Sequence, residues 1–483
     1  MSSALSLDSA AGRGVLTAAV LGSGMAMLDG TVVNVALRNI GEDFDASLAQ
    51  LQWISNGYLL ALAALILVGG SLGDRFGRRR VFELGIVWFA LASLVCGIAQ
   101  SADQLIAARV LQGVGAALLT PGSLAMIQAS FAPEERARAI GSWSGLGGIA
   151  AAIGPFVGGW LVQYASWRWV FLLNLPLAVV TVALTRRYVP ETRDPESVPG
   201  FDVTGAALGA ISLAAVTFAL IELGSLSTPV IVASAAIGVV SGVAFIAVER
   251  RARHPMMPTS LFSSRQFSAA NAMTLLVYAS LGGIVFFLVL QLQTVSGYGP
   301  LPAGLALLPI TVVMLLLASR GGQLASRIGP RLPMALGPLV CAAGIVPLTS
   351  VGAEVDYWTD VLPGVTVFAL GLALLVAPLT ATVLAAAPDR NAGIASGINN
   401  AVARAGSLLA VAALPALVGL QGADYDRPAA FSAGYSTAMW ICVALLVAGG
   451  AVSWLLIRNP PGLRSPEPAR SPSSTAPAPP SAA

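Results

Sequence analysis

From Gly14 almost to Ile457 the chain alternates long apolar runs with short polar intervals. The runs are about 18 to 25 residues, the length a helix needs to cross a hydrocarbon core at about 1.5 Å per residue. Apolar residues are continuous within a run instead of alternating, and in lipid only helices or closed barrels satisfy the backbone. The pattern therefore predicts helices near 14–37, 51–72, 81–100, 104–127, 139–162, 169–188 and 203–223. Seven more fall near 228–248, 266–292, 301–325, 332–350, 361–385, 393–419 and 432–457. The expectation is an all-α polytopic membrane protein with fourteen spans.

The polar intervals add orientation. With the N-terminus in the cytoplasm, about twenty arginines fall inside, among them Arg75, Arg78, Arg79, Arg80, Arg186, Arg187, Arg250, Arg251 and Arg253. Outside stand Arg38, Arg168 and Arg427, beside acids such as Glu42, Asp43, Asp45, Glu354, Asp356 and Asp360. This bias and the even span count place both termini in the cytoplasm, and explain the basic loops without nucleic acid. A cleaved leader is not expected, because the first run holds Asp29 and many spans follow it.

The loop "GSLGDRFGRRR" from Gly70 returns as "GQLASRIGPR" from Gly322. Gly70/Gly322, Leu72/Leu324, Arg75/Arg327, Gly77/Gly329 and Arg79/Arg331 share one offset of 252 residues. That is the trace of a parallel repeat of two helical halves, an architecture of transporters. The expected division is a cytoplasmic N-terminus 1–13, a six-helix bundle 14–188, a linker 189–202 and two inserted helices 203–248. A linker 249–265, a second six-helix bundle 266–457 and a disordered cytoplasmic tail 458–483, rich in Pro, Ala and Ser, complete it.

Composition narrows the chemistry. Hydrophobic residues make up 56% and charged ones 10%, with mean hydropathy +0.80. All 26 basic residues are arginine, so no lysine-dependent phosphate loop exists. His254 is the single histidine, and Cys96, Cys341 and Cys442 lie apart in apolar runs, which removes metal and redox spacings. No cofactor is expected, and an ion gradient is the remaining energy source. No Ser/His/Asp, metal or lysine set supports an enzyme.

Asp29 lies about eight residues before the outer end of span 1, about 12 Å below that surface, and Arg109 lies at similar depth in span 4. Each costs at least about 2.5 kcal/mol alone in lipid, and pairing across a bundle interior lowers both costs. Two readings stay open: a permanent ion pair, or a carboxylate that loads and releases a proton along a water-filled path. In the basic loop Gly70 and Gly77 permit close packing and a tight turn, while Asp74 can accept backbone donors or pair with an arginine. Ser326 replaces Asp74 in the second copy, so the acid serves something particular to the first half. Span 5 carries Gly141, Gly145, Gly154 and Gly158 with Pro155, suited to close helix approach and a bend. Asn34, Tyr58, Gln112, Asn399, Asn400 and Arg404 are polar residues at membrane depth, candidates to line a substrate cavity or to bond between helices. Glu83 and Glu222 lie at span ends, where water solvates them.

The chain resembles the fourteen-helix drug/proton antiporters of the major facilitator superfamily. The resemblance rests on Gly70, Leu72, Gly73, Asp74, Arg75, Gly77, Arg78 and Arg79, on "RVLQGVGAA" from Arg109, and on "GPFVGG" from Gly154 with Gly141 ahead. "LDGTVVNVAL" from Leu28, "WRWVFLLNLP" from Trp167 and "GIASGINNAVARAG" from Gly393 extend it across the chain. It implies the major facilitator fold, two six-helix bundles plus two inserted helices, and alternating access. It implies Asp29 as proton acceptor, Arg109 in proton coupling, and Gly70 to Arg79 as a cytoplasmic latch. Gly141, Gly154, Pro155, Gly158 and Gly159 would form the antiporter motif at the bundle interface. Two departures are Arg38, where the span-1 motif usually ends in proline, and Ala150 in place of a glycine. The implied activity is proton-coupled export of hydrophobic small molecules from a bacterial cell membrane by a monomer. A facilitator or importer of a small metabolite stays open beside it.

Overall fold

Caps, more than hydropathy, decide where the helices stop. The computed structural model describes residues 5–193, 202–252, 255–388, 391–422 and 424–459, so most of the first linker, His254 and the Pro-rich tail lie outside the described residues. Helix α1, Ala10–Phe44, outruns its apolar run because the Ser9 side chain accepts from the Gly12 N–H, and Asp45 closes the far end at φ 49°. Helix α2, Leu48–Phe76, opens with a reciprocal capping box between Ser47 and Gln50. There follow α3 (Arg78–Gly97), α4 (Ala102–Ser130), α5 (Pro133–Tyr164), α6 (Arg168–Leu172), α7 (Asn174–Tyr188), α8 (Val203–Ile221) and α9 (Thr228–Arg251). The remainder are α10 (Arg265–Thr294), α11 (Pro300–Leu305), α12 (Leu308–Ile328), α13 (Arg331–Leu348), α14 (Leu362–Ala385), α15 (Ala392–Leu417) and α16 (Pro428–Leu456).

Thirteen stretches of the described residues are long and apolar enough to span a membrane, and α5 takes the fourteenth place. The sixth and tenth spans are each broken in two, which the apolar pattern did not foretell. Both breaks follow from proline: Pro176 and Pro309 lack the N–H that would bond the carbonyl four residues back, and α6 and α11 end at those residues, Leu172 and Leu305.

The two halves pack alike. In the first half α4 packs on α2 and α3, and α1 on α5; in the second α14 packs on α12 and α13, and α10 on α15. The close approaches repeat as well, with Gly69 against the Ala117 carbonyl and Gly321 against that of Ala373. Gly69 and Gly321 are one residue ahead of the pair read from the sequence, and they keep the offset of 252. A side chain at either would force the helices apart.

Helices α8 and α9 pack on each other, and α8 lies across α2 and α15, one from each half. At its outer end Glu222 accepts from Trp53 Nε1 at 2.9 Å, so this acid has a protein partner beyond solvent. Most of α9 faces outward with Val230, Val232, Ile237, Val239, Val240, Val243 and Ile246 exposed, as a lipid-facing helix requires.

Among the described residues, hydrogen bonds between the halves lie at the outer ends. Gln293 Nε2 donates to the Val35 carbonyl at 3.0 Å, the Leu48 N–H to that of Gly422 at 2.9 Å, and the Tyr425 hydroxyl to that of Ala46 at 2.7 Å. The Gln421 N–H holds Asp424 below the usual carboxylate range, with Arg427 assisting, and so pins the loop that carries Tyr425. At the cytoplasmic ends the bonds of each basic loop stay within its own half. Among the described residues the halves are thus tied by hydrogen bonds at their outer ends.

Candidate functional site

Asp29 and Arg109 meet, as their matched depths required. Antiparallel packing of α1 and α4 in the first half brings the two side chains together as a direct ion pair. Asp29 is 0% exposed and Arg109 1%, so the pair does not line the water-filled path that the proton reading favoured. The reason is the cage around it. Gln112 Nε2 donates to Asp29 Oδ1 at 2.8 Å and Asn174 Nδ2 to the same oxygen at 3.3 Å. Arg109 also donates to Gln112 Oε1 at 2.6 Å and to the Ile54 carbonyl at 3.1 Å. The Tyr58 ring covers the guanidinium at 4.5 Å and Phe171 lies at 5.7 Å, supplying cation–π attraction in a dry setting.

Ser93 ties the cage together. Its hydroxyl donates to the Phe171 carbonyl at 2.8 Å and accepts from Gln112 at 3.1 Å and Asn174 at 3.0 Å. The carboxylate thus has three side-chain donors, from α4 and α7. Sequence reasoning missed Ser93 and Asn174. Asn174 stands in "FLLNLP", a stretch that carried the resemblance, and an amide at membrane depth there was the available signal. Ser93 in an apolar run gave none.

The candidate cavity residues divide. Tyr58 and Gln112 are buried in the cage region, the former donating to the Ala26 carbonyl at 3.0 Å, because their polar groups are used between helices. Asn399 donates to Thr274 at 2.7 Å and Asn271 at 3.2 Å on α10, again an interhelical role. Asn34 and Arg404 are half-buried and Asn400 is exposed at mid-helix. Asn400 donates to the Ser396 carbonyl and makes no bond to Arg404.

In the basic loop Asp74 pairs with Arg78 at 2.8 Å. Arg79 lies 3.6 Å from Glu83, which Arg186 also meets, so Glu83 is a paired acid beyond its boundary solvation. Gly77 has φ 114° and sits under Glu191, which accepts from the Arg79 N–H at 3.2 Å. Gly329, its repeat, has φ 88° and sits under Asn459, which accepts from the Arg331 N–H at 3.1 Å. Gly70 and Gly73 leave ordinary contact distances, and Arg75 stacks over Phe76. In α5, Gly154 and Gly158 lie against Thr31 and Val32 of α1, whereas Gly159 and Pro155 face Leu301 and Gly304 across the halves. Gly141 has no neighbour that a Cβ would meet.

The sequence model of the Major Facilitator Superfamily matches residues 19–411. The methylenomycin A resistance protein of Streptomyces coelicolor is 36% identical over 452 residues, 92% of either chain. The tetracenomycin C resistance and export protein of Streptomyces glaucescens is 35% identical, over 85% of this chain and 76% of its own. The puromycin resistance protein of Streptomyces alboniger is 35% identical over 90% and 89%. Among solved structures, an inward-facing, unoccupied bacterial homologue of the human lysosomal transporter Spinster has TM-score 0.65 at 19% identity, over 92% of this chain and 96% of that one. A peptide transporter in complex with sulfate has TM-score 0.67 at 15% identity, over 92% and 95%. At such identities the structures show a shared fold.

Proposed function

The chain belongs to the major facilitator superfamily, among its antibiotic-resistance exporters of the bacterial cell membrane, and we propose that Asp29 is the proton site of its export cycle. Membership makes it a proton-coupled exporter of hydrophobic small molecules, a transporter and not an enzyme. The observation that carries the assignment is a carboxylate with no solvent exposure at membrane depth, held by Arg109, Gln112 and Asn174.

Protonation removes the charge that Arg109 opposes. The cage then holds an uncompensated guanidinium, and a different packing of α1 on α4 becomes the better one. A proton moved through 100 mV supplies about 2.3 kcal/mol, comparable to the coupling that separates two conformations. In this account the bundles 14–188 and 266–457 rock about the α5–α11 and α2–α15 contacts, and a single chain completes the cycle. The loop from Gly70 to Arg79, with its Asp74–Arg78 pair, is the cytoplasmic latch. Asn34, Asn400 and Arg404 line the substrate cavity. The closed cage favours a second reading, in which the pair is a fixed brace between helices. The resistance and export functions of the relatives extend to this chain as a drug or secondary-metabolite substrate.

Direction is the test that separates exporter from importer. Right-side-out proteoliposomes are charged with methylenomycin A, the compound for which a relative is named, and given an acidic exterior. Efflux accelerated by the gradient and abolished by a protonophore is expected; inward accumulation with the proton would support the importer.

A further inference from the structure

The first half neutralises its deep charges against each other, and the second half leaves one open. Among the described residues Arg404 makes no ion pair and no hydrogen bond. Its direction follows from the helix it stands on. Along α15, Asn399 and Ser407 bond to α10, while Gly397 and Ala401 pack against α2 and its neighbours. At about 100° per residue Asn400 and Arg404 fall on the arc between those two faces, one turn apart. Since α10 and α2 belong to different halves, that arc turns to the space between the halves.

Depth follows from register. Gln52 bonds to the Val411 and Ala412 carbonyls, and Leu67 lies against Gly397, so antiparallel α2 and α15 bring Arg404 level with the turn after Tyr58. Tyr58 in turn covers Arg109 with its ring. Arg404, half-buried, therefore faces the space between the halves at the level of the buried pair. Asp29 cannot balance it, being enclosed and already paired.

A permanently charged guanidinium at membrane depth is costly without a counter-charge, and the described residues supply none. We propose that the counter-charge is the cargo: Arg404 is the docking point for the carboxylate of a hydrophobic organic anion. The planar fork of arginine suits a two-oxygen anion bound edge on, and the aliphatic and aromatic surroundings take the apolar body. This deepens the exporter reading and rests on it.

A matched probe set tests it, using the full chain in nanodiscs and thermal-unfolding titrations with 1-naphthylacetate, 2-(1-naphthyl)ethanol and a 1-naphthylmethyl trimethylammonium salt. Naphthylacetate should bind best, and Arg404→Gln should weaken it by about tenfold or more while leaving the alcohol unchanged. The ligand-free unfolding midpoint of R404Q reports that the variant is folded. No shift with naphthylacetate, an undiminished shift in R404Q, or equal weakening of all three probes overturns the proposal. Arg404-dependent binding with no gradient-driven movement of the probe upholds the site and counts against the exporter reading instead.

Discussion

At the scale of single residues the protein is organised around one acid. Asp29 and Arg109 would each be costly in lipid, and together with Gln112, Asn174 and Ser93 they form a satisfied polar island inside an apolar bundle. Removing one partner of such a pair leaves a buried charge, typically at about 3–5 kcal/mol. Arg109→Gln is therefore expected to lower stability by about that much, read from denaturant unfolding in detergent. Adding Asp29→Asn to it should restore about half or more of the loss, since no unpaired charge then remains. The pair was legible in the sequence because depth along a transmembrane helix follows from counting residues. The cage was not, because Ser93 and the Ile54 carbonyl reach it through helix packing, which no local pattern encodes.

At the scale of helices the repeat governs. Gly77 and Gly329 both have positive φ, and each lies under a polar side chain that follows the last span of its own half, Glu191 or Asn459. A Cβ at Gly77 would sit 2.5 Å from Glu191 Oε1 and in a positive-φ backbone region that costs an L-residue roughly 1–3 kcal/mol. Gly77→Ala should lower the unfolding midpoint, and Glu191→Ala should recover the part due to overlap but not the part due to φ. An additive loss in the double variant would contradict this. The sequence displayed the repeated glycines, yet it hid their partners, which come from 114 and 130 residues away along the chain. It also displayed Pro176 and Pro309 without declaring that each would split a span, because proline in a membrane helix bends or breaks it according to its neighbours.

At the scale of the molecule the fold was the most legible feature and the conformation the least. A bilayer dictates helix length and backbone satisfaction, so fourteen apolar runs leave little choice of architecture. Which ends of the halves are tied was not legible, because one sequence must encode both ends of a cycle and balances them within a few kcal/mol. In this state the outer ends are joined through Gln293, Leu48 and Tyr425, while the cytoplasmic loops stay within their own halves. The central claim is that Asp29 converts a proton gradient into this exchange of states. It is tested most directly by reconstituting Asp29→Asn beside the parent and measuring gradient-driven methylenomycin A efflux together with exchange at equal pH on both sides. The account predicts that the variant keeps the exchange and loses the response to the gradient. Undiminished gradient-driven efflux by Asp29→Asn would contradict it and leave the pair as a fixed brace.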